Sequence, residues 1–414
     1  MKKTVLKSFA RLIARCGVAI QKGEEVRIRC DVDQPEFIAL LTEEFYRAGA
    51  SKVRVDMDYQ PLKKLHVKYQ TLRKLSAPED WELARWEHEA AVLPASIYII
   101  SEDPDGLRGM NQEKDSKATQ NRYKYIKPFR DRMENKYKWT IAAVPGKKWA
   151  RKMFPGVPTA TALEKQWQAI LYTSRVVDAE GNLLDPIQEW EKHNADMHYR
   201  CRYLNDLQAE EIHFTAGNGT DLRVGLLPQA LFCGGSELLP SQNVEYNPNI
   251  PSEECFTSPM KGKAEGIVYA SKPLSYRGEI IDKFWMRFKD GHVVEAHAEV
   301  NDSLLHEMLS MDEGASYLGE CALVPVDSPI CQSGLLFYET LFDENASCHL
   351  AMGQGYSSVL KDFEKYTQEE AYAIGINDSM IHVDFMIGTP DLSVTVKTKD
   401  GRTVQVFKNG TWAF

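Results

Sequence analysis

The spacing of apolar residues changes character near residue 200. In the first half, "EEVRIRCDV" (Glu24–Val32) reads as a strand. "QPEFIALLTEEFYRAGA" follows, with Phe37, Leu40, Leu41 and Phe45 at helical spacing and Gly49 placed to end the helix. "SKVRVDMDY" is strand-like again. Strand, helix and strand in so short a span form a βαβ unit, which predicts a parallel sheet. "AAVLPASIYIISED" and "KWTIAAVP" are short apolar runs that end in polar or proline-containing turns, and they predict further strands of it.

From "EEIHFTAGNGTDLRVGL" onward the chain is rich in strands. Turn dipeptides stand at Asn218-Gly219, Asp290-Gly291, Asp400-Gly401 and Asn409-Gly410, beside β-branched or alternating segments. That combination predicts antiparallel hairpins, most plainly in "DLSVTVKTKDGRTVQVFKNGTWAF". The fold class expected is α+β in two domains. Residues 1–204 form an α/β domain with a mainly parallel sheet, and 205–414 a domain rich in antiparallel β that carries the chemistry. There is no internal repeat and no low-complexity segment.

Length and composition narrow the function classes. The chain of 414 residues is long enough for more than one domain, and 43% apolar with 26% charged residues is ordinary for a soluble protein. A net charge of −9 argues against general nucleic-acid binding. The stretch between Arg108 and Lys152 is basic and aromatic ("NRYKYIKPFRDRMENKYKW"), but its interleaved Glu and Asp favour a solvated helix face over a phosphate surface. No apolar run approaches the roughly 18 residues that span a bilayer, so no membrane partner is expected. "MKKTVLKSFARLIARCGVAI" is interrupted by Lys7, Arg11 and Arg15 and has no small-residue cleavage site, which predicts an amphipathic helix and a cytoplasmic protein.

Eight cysteines, none in a C-x-x-C pair, give little support to a zinc finger, an iron–sulfur cluster or a disulfide scaffold; free thiols in a reducing compartment are expected. G-x-G-x-x-G and G-x-x-x-x-G-K-[ST] are absent, as are G-x-S-x-G and H-E-x-x-H. Cys348 adjoins His349, but strand neighbours face opposite ways and make a poor nucleophile–base pair.

One strand carries an anomaly. In "NDSMIHVDFMIG", Ile381, Val383, Phe385 and Ile387 form one face, and His382 and Asp384 stand on the other. Similar intrusions recur in the same half. They are Glu253 and Glu254 in "NIPSEECFTSP", Glu320 in "YLGECALVPVDSPI", and Asp343, Glu344, His349 and Tyr356 in "FDENASCHLAMGQGY". Each has a dull reading alone: a turn, a water-facing edge, a hydrogen-bonded core histidine, or a carboxylate that orients a ring. Together they are harder to dismiss, because facing buried carboxylates repel unless cations compensate them. Carboxylates with two histidines suit zinc, cobalt or manganese. Their number exceeds the need of one tetrahedral ion, which favours two ions sharing a bridging carboxylate and water, the apparatus of metal-assisted amide hydrolysis. A spare carboxylate would serve as general base.

These four segments closely resemble the signature segments of the thermophilic-type metallo-aminopeptidases, the aminopeptidase T and aminopeptidase S family. "ARLIARCGVAIQKGEEVRI", "RAGASKVRVDMDY", "WTIAAVPGKKWARKMFPG" and "GNGTDLRVGL" extend the likeness along nearly the whole chain. The resemblance implies hydrolysis of the N-terminal peptide bond of short peptides, two divalent ions per subunit, and a homodimer whose active sites face an enclosed cavity. It implies Glu253, Glu320, His349, Tyr356, His382 and Asp384 as metal ligands. Glu254 and Glu344 are then free to act as general base, Glu344 being alternatively a further ligand, and Glu320 could bridge the metals. Tyr356 would be an unusual ligand, since a dication must depress a phenol pKa near 10. Alternation should turn Cys255, Cys321 and Cys348 away from the metals. A two-metal hydrolase of another amide or ester, or a non-catalytic peptide-binding relative, are the alternatives.

Overall fold

The computed structural model describes residues 1–414. They form two compact units, Met1–Glu191 with Ser236–Pro251, and Lys192–Gly235 with Ser252–Phe414. The sequence places a single boundary at 204/205. The units divide earlier, within the helix Pro186–Asp206, and the segment 236–251 returns to the first unit.

The first unit is built on four parallel strands, β1 (Glu25–Asp31), β2 (Lys52–Asp58), β3 (Ala95–Ile100) and β4 (Trp139–Ala143), in the order β2-β1-β3-β4. The connecting helix Pro35–Ala48 starts with proline at its first position and ends at Gly49, whose φ of 112° lies in the left-handed region. The basic N-terminal segment is helical over Lys3–Leu12 and buries Val5, Phe9 and Leu12. Phe9, Phe37 and Trp167 stack and tilt together, with ring centroids 5.4–6.5 Å apart. One sheet face is apolar, with Val26, Ile28, Cys30, Ile97 and Ile99 buried.

The other face is charged, against the habit of parallel sheets, which are usually apolar on both sides. Register sets Arg27 beside Arg54 and Ser96, and Arg29 beside Asp56 and Tyr98. Glu89, buried on the helix Asp80–Val92, accepts from Arg27, Arg54 and Arg85. The basic stretch around residue 120 forms the helix Gln112–Met133 and buries only Ala118 and Met133.

The chain then adds β5 (Ala209–Thr215) and β6 (Asp221–Leu226) to the second unit, and a ribbon of β7 (Glu237–Leu239) and β8 (Val244–Tyr246) to the first. What ties the ribbon segment there is the free edge of β4. Ile141 N donates to Pro248 O at 2.7 Å, Ile250 N donates to Ile141 O at 2.9 Å, and Thr140 Oγ1 donates to Asn247 O at 2.8 Å.

The remaining strands belong to the second unit. They are β9 (Cys255–Thr257), β10 (Pro259–Tyr269), β11 (Leu274–Tyr276), β12 (Glu279–Lys289), β13 (His292–Val300), β14 (Leu318–Leu323), β15 (His349–Gly353), β16 (His382–Met386), β17 (Ser393–Thr398), β18 (Thr403–Lys408) and β19 (Thr411–Trp412). A large antiparallel sheet runs β11-β12-β10-β6-β5-β17-β18-β19, with β13 paired to β12. The four dipeptides named from sequence all sit at its hairpin turns. At Asp290-Gly291 and Asn409-Gly410 both residues have positive φ, as a type I′ turn requires. A second antiparallel sheet, β16-β15-β14-β9, carries most of the chemistry-bearing residues.

Candidate metal centre

Strand alternation divides this small sheet into two chemically opposed faces. Cys321, Leu323, Leu350, Met352 and Phe385 point into the core of the unit, with Val383 packed at its margin. The opposite face presents Glu320 from β14, His349 from β15, and His382 and Asp384 from β16. Register aligns Glu320 with Ala351, and Ala351 with Asp384, so the two carboxylates flank an alanine on the central strand. His349 stands opposite Ala322 in the same way. These small residues leave the space that larger side chains would fill.

The register depends on a shift between Leu318 and Glu320. At Gly319 the chains run so close that a Cβ would lie 2.2 Å from Gln354 O and 2.4 Å from Gly353 O, which only glycine permits.

Two groups of donors result. In one, Glu254, Glu320 and His349 bring ligand atoms within 4.8 Å of one another; in the other, Glu320, His382 and Asp384 do so. Glu320 belongs to both. His349 Nε2 is 3.1 Å from Glu254 Oε2 and 3.8 Å from Glu320 Oε1. His382 Nε2 is 3.1 Å from Glu320 Oε2 and 3.2 Å from Asp384 Oδ1. Both rings are aimed the same way. His349 Nδ1 donates to Ser347 O at 3.1 Å, and His382 Nδ1 donates to Gln354 O at 2.8 Å. A carbonyl only accepts, so each Nδ1 carries a hydrogen and each Nε2 is the nitrogen turned to the carboxylates, the orientation of metal-binding histidines.

His349 Nε2 is buried and lacks a properly aligned hydrogen-bond partner despite the near carboxylates. A buried nitrogen left in that state is costly unless something else binds it. A cation between Nε2, Glu254 and Glu320 meets that need, and the nitrogen–oxygen donor set suits zinc, cobalt or manganese.

Electrostatics agree. Burial alone would raise the Glu320 carboxyl, but the His349 and His382 imidazoles beside it hold it at about 2. Burial would lower His349, yet Glu254 and Glu320 keep it well above 6.5; Asp384 and Glu320 do the same for His382. Glu254 is raised by burial and by the neighbouring Glu320 and Asp384, with His349 opposing. Glu344 is raised well above ordinary carboxyl behaviour, first by burial and then by Asp384 and Glu254. The cations that chiefly act on these carboxylates are the two imidazoles.

The remaining sequence candidates fall around this cluster. Tyr356 is 39% exposed, and its hydroxyl lies 3.1 Å from His382 Nε2. Burial of the hydroxyl end and the surrounding carboxylates push the phenol well above 10. Glu253 is buried but outside both donor groups, and its amide donates to Asn345 Oδ1 at 2.6 Å. Its neighbour Glu254 is the one brought to His349. Asp343 lies one residue before Glu344 but turns to the loop, accepting from Phe337 N and Glu339 N at 2.7 and 3.1 Å. Cys255, Cys321 and Cys348 lie in the hydrophobic core.

Three supporting residues escaped sequence reasoning. Ala351 provides the space between Glu320 and Asp384, and Gln354 fixes His382 through its carbonyl. Fully buried Asn345 holds the Glu253 amide and donates to Leu341 O at 2.9 Å and Glu344 Oε1 at 3.4 Å. Small residues alternating with ligand types were the available signal for Ala351. The other two act through contacts that sequence spacing does not reveal.

Comparison with known proteins places these residues in context. Residues 2–412 match the family model described as thermophilic metalloprotease (M29). The chain is 35% identical to aminopeptidase AmpS of Bacillus subtilis (strain 168), covering 99% of this chain and 98% of that one. It is 37% identical to aminopeptidase T of Thermus thermophilus, with the same coverage. The solved structure of wild-type AmpT from Thermus thermophilus is similar over 100% of both chains, with a TM-score of 0.89 at 34% identity.

Proposed function

We propose, from the premise that the chain belongs to the thermophilic metalloprotease family, that its centre works with two divalent cations. The protein is a metal-dependent aminopeptidase, a hydrolase of the exopeptidase type. In this reading its substrates are short peptides, cleaved at the N-terminal peptide bond. The observation that carries it is the unpartnered Nε2 of buried His349, set between Glu254 and Glu320.

Glu254 and His349 would hold one ion, and His382 and Asp384 the other, with Glu320 between them. Bound there, the ions would supply Lewis acidity to the scissile carbonyl and to the attacking water. Tyr356, through its hydroxyl beside His382, lies where it can donate to an oxygen ligand or join the second ion's shell. Glu344 is our general base. Burial and the neighbouring carboxylates raise its proton affinity, so it can take a proton from water and pass it to the leaving amine. Asn345 steadies that carboxylate from one side.

The decisive test is metal content with activity. Metal-replete protein should hold about two ions per subunit. Hydrolysis of aminoacyl anilides should vanish with exhaustive chelation and return with cobalt, zinc or manganese. Activity that survives chelation overturns the reading. Glu344→Gln separates base from ligand: lost turnover with both ions retained supports the base, and loss of an ion makes Glu344 a ligand.

A homodimer enclosing the active sites, and a cytoplasmic location, complete the reading. The family resemblance supports the first, and sedimentation at working concentration tests it. For the second, no helix is long and apolar enough to cross a membrane.

A further inference from the structure

We propose that the first unit contains a separate binding site for a small aromatic carboxylate, on the charged face of its parallel sheet. A cavity of about 740 Å³ lies there, within the size range of small-molecule pockets. Its floor is strand: Arg27 from β1, Ser96 and Tyr98 from β3, and Trp139 from β4. Trp86, on the helix Asp80–Val92, and the helix Gln112–Met133 supply its walls.

Charge accounting selects the ligand. Arg27 is already held by Asp56 and Glu89, each at 3.0 Å, and Arg29 by Asp58 at 2.7 Å. Arg122 is paired with Glu82, and Asp131 with Lys127. Glu134 also lines the cavity and is in no ion pair. Arg130 lines it with no carboxylate partner. Its charge is felt by the Tyr137 phenol, which burial nevertheless pushes up to about 12.

The cavity therefore offers one uncommitted cation, Arg130, and one uncommitted carboxylate, Glu134, among the rings of Trp86, Tyr98, Tyr137 and Trp139. That pairing suits a ligand that brings its own carboxylate and, in a free amino acid, an ammonium as well. Aromatic faces bordering open space gain most from another ring, and a lone guanidinium from a carboxylate. A phosphate ester would call for more open cations or a glycine-rich turn, and the sheet has no such turn. A free aromatic amino acid and the aromatic C-terminal residue of a short peptide share the required chemistry. Peptide hydrolysis releases the first and consumes the second, so this part of the argument rests on the proposed substrate class. The site itself uses no residue of the metal centre.

The test is equilibrium binding to metal-loaded protein, using phenylalanine, N-acetylphenylalanine and, as a probe lacking the carboxylate, phenethylamine. The two carboxylates should bind and phenethylamine should not. Arg130→Ala should weaken binding by about tenfold or more. Because Arg130 is exposed on its helix, the unfolding midpoint of that variant should stay unchanged. Binding should persist in His349→Ala, which disables the metal centre. Preference for phenylalanine assigns the free amino acid, and equal or tighter N-acetylphenylalanine assigns the peptide terminus. The proposal fails if neither carboxylate binds at millimolar concentration. It also fails if Arg130→Ala binds like wild type, or if binding disappears with His349→Ala. Since the readout is binding, its failure leaves the hydrolytic reading standing.

Discussion

Both units bury charge against a sheet, but they neutralise it differently. In the first unit, Glu89 is surrounded by Arg27, Arg54 and Arg85, and Asp56 by Arg27 and Arg85. The chain supplies both signs, and the layer is complete by itself. On the face of β14, β15 and β16, Glu320 and Asp384 meet Glu254 and Glu344, and the cations that chiefly balance these four carboxylates are two imidazoles. Buried charge that the chain pairs internally serves architecture. Buried charge left with a deficit of cations marks a place for ions from outside.

The contrast is broken most directly by removing metal. Chelation should abolish hydrolysis and lower the unfolding temperature, because ions that bind only the folded state stabilise it by mass action. His349→Ala should follow, with at least one ion lost by elemental analysis and turnover reduced on the order of a thousandfold or more. Retained metal and near-normal turnover would remove His349 from the centre. Ala351→Leu should also expel metal while leaving the core face of β15 intact. Full metal occupancy in that variant would show that the gap between Glu320 and Asp384 is not where an ion sits.

Charge removal in the first unit should behave in the opposite way. Glu89→Ala leaves three guanidinium groups without their shared acceptor and should destabilise by about 3–5 kcal/mol, measured by denaturant unfolding, with metal content unchanged. Arg29→Ala breaks a pair with more than half of each side chain exposed, and should cost less than about 1 kcal/mol.

Acidity sharpens the comparison further. In metal-free protein the histidine pKa values lie above 6.5 in the folded state, so their stabilising contribution is full below 6.5 and is lost as pH rises through the folded values. Glu320 is depressed from 4.5 to about 2, so its contribution is full above 4.5 and is lost as pH falls towards 2. Glu254 and Glu344 are raised above 4.5, so their contribution is full below 4.5 and is lost as pH rises. For this cluster, metal-free stability should therefore be greatest near 4.5 and fall on either side. Metal binding must displace the imidazole protons, so affinity should rise as pH increases. A titration of unfolding midpoint with and without metal checks both slopes.

Much of this was legible from residue order because it depends on short-range periodicity. The βαβ opening, the N-terminal helix and the hairpins at Asp290-Gly291 and Asn409-Gly410 follow from spacing and turn chemistry. Alternation in "NDSMIHVDFMIG" correctly separated Phe385 and Ile387 from His382 and Asp384. The return of residues 236–251 to the first unit was not legible, because it rests on pairing with β4 about a hundred positions away.

Sequence by itself determined which strands carry imidazole and carboxylate, and which face of each they occupy, since a period of two allows no other assignment. Adjacent Glu253 and Glu254 could not be ranked that way. Only the tertiary structure brought Glu254 to His349, tied the Glu253 amide to Asn345, and set Glu320 between two donor groups. The physical reason is that ligand geometry arises from strand register and long-range packing. Here that means a shift at Gly319 and an alanine at 351, whose effects exist only once β14, β15 and β16 lie side by side.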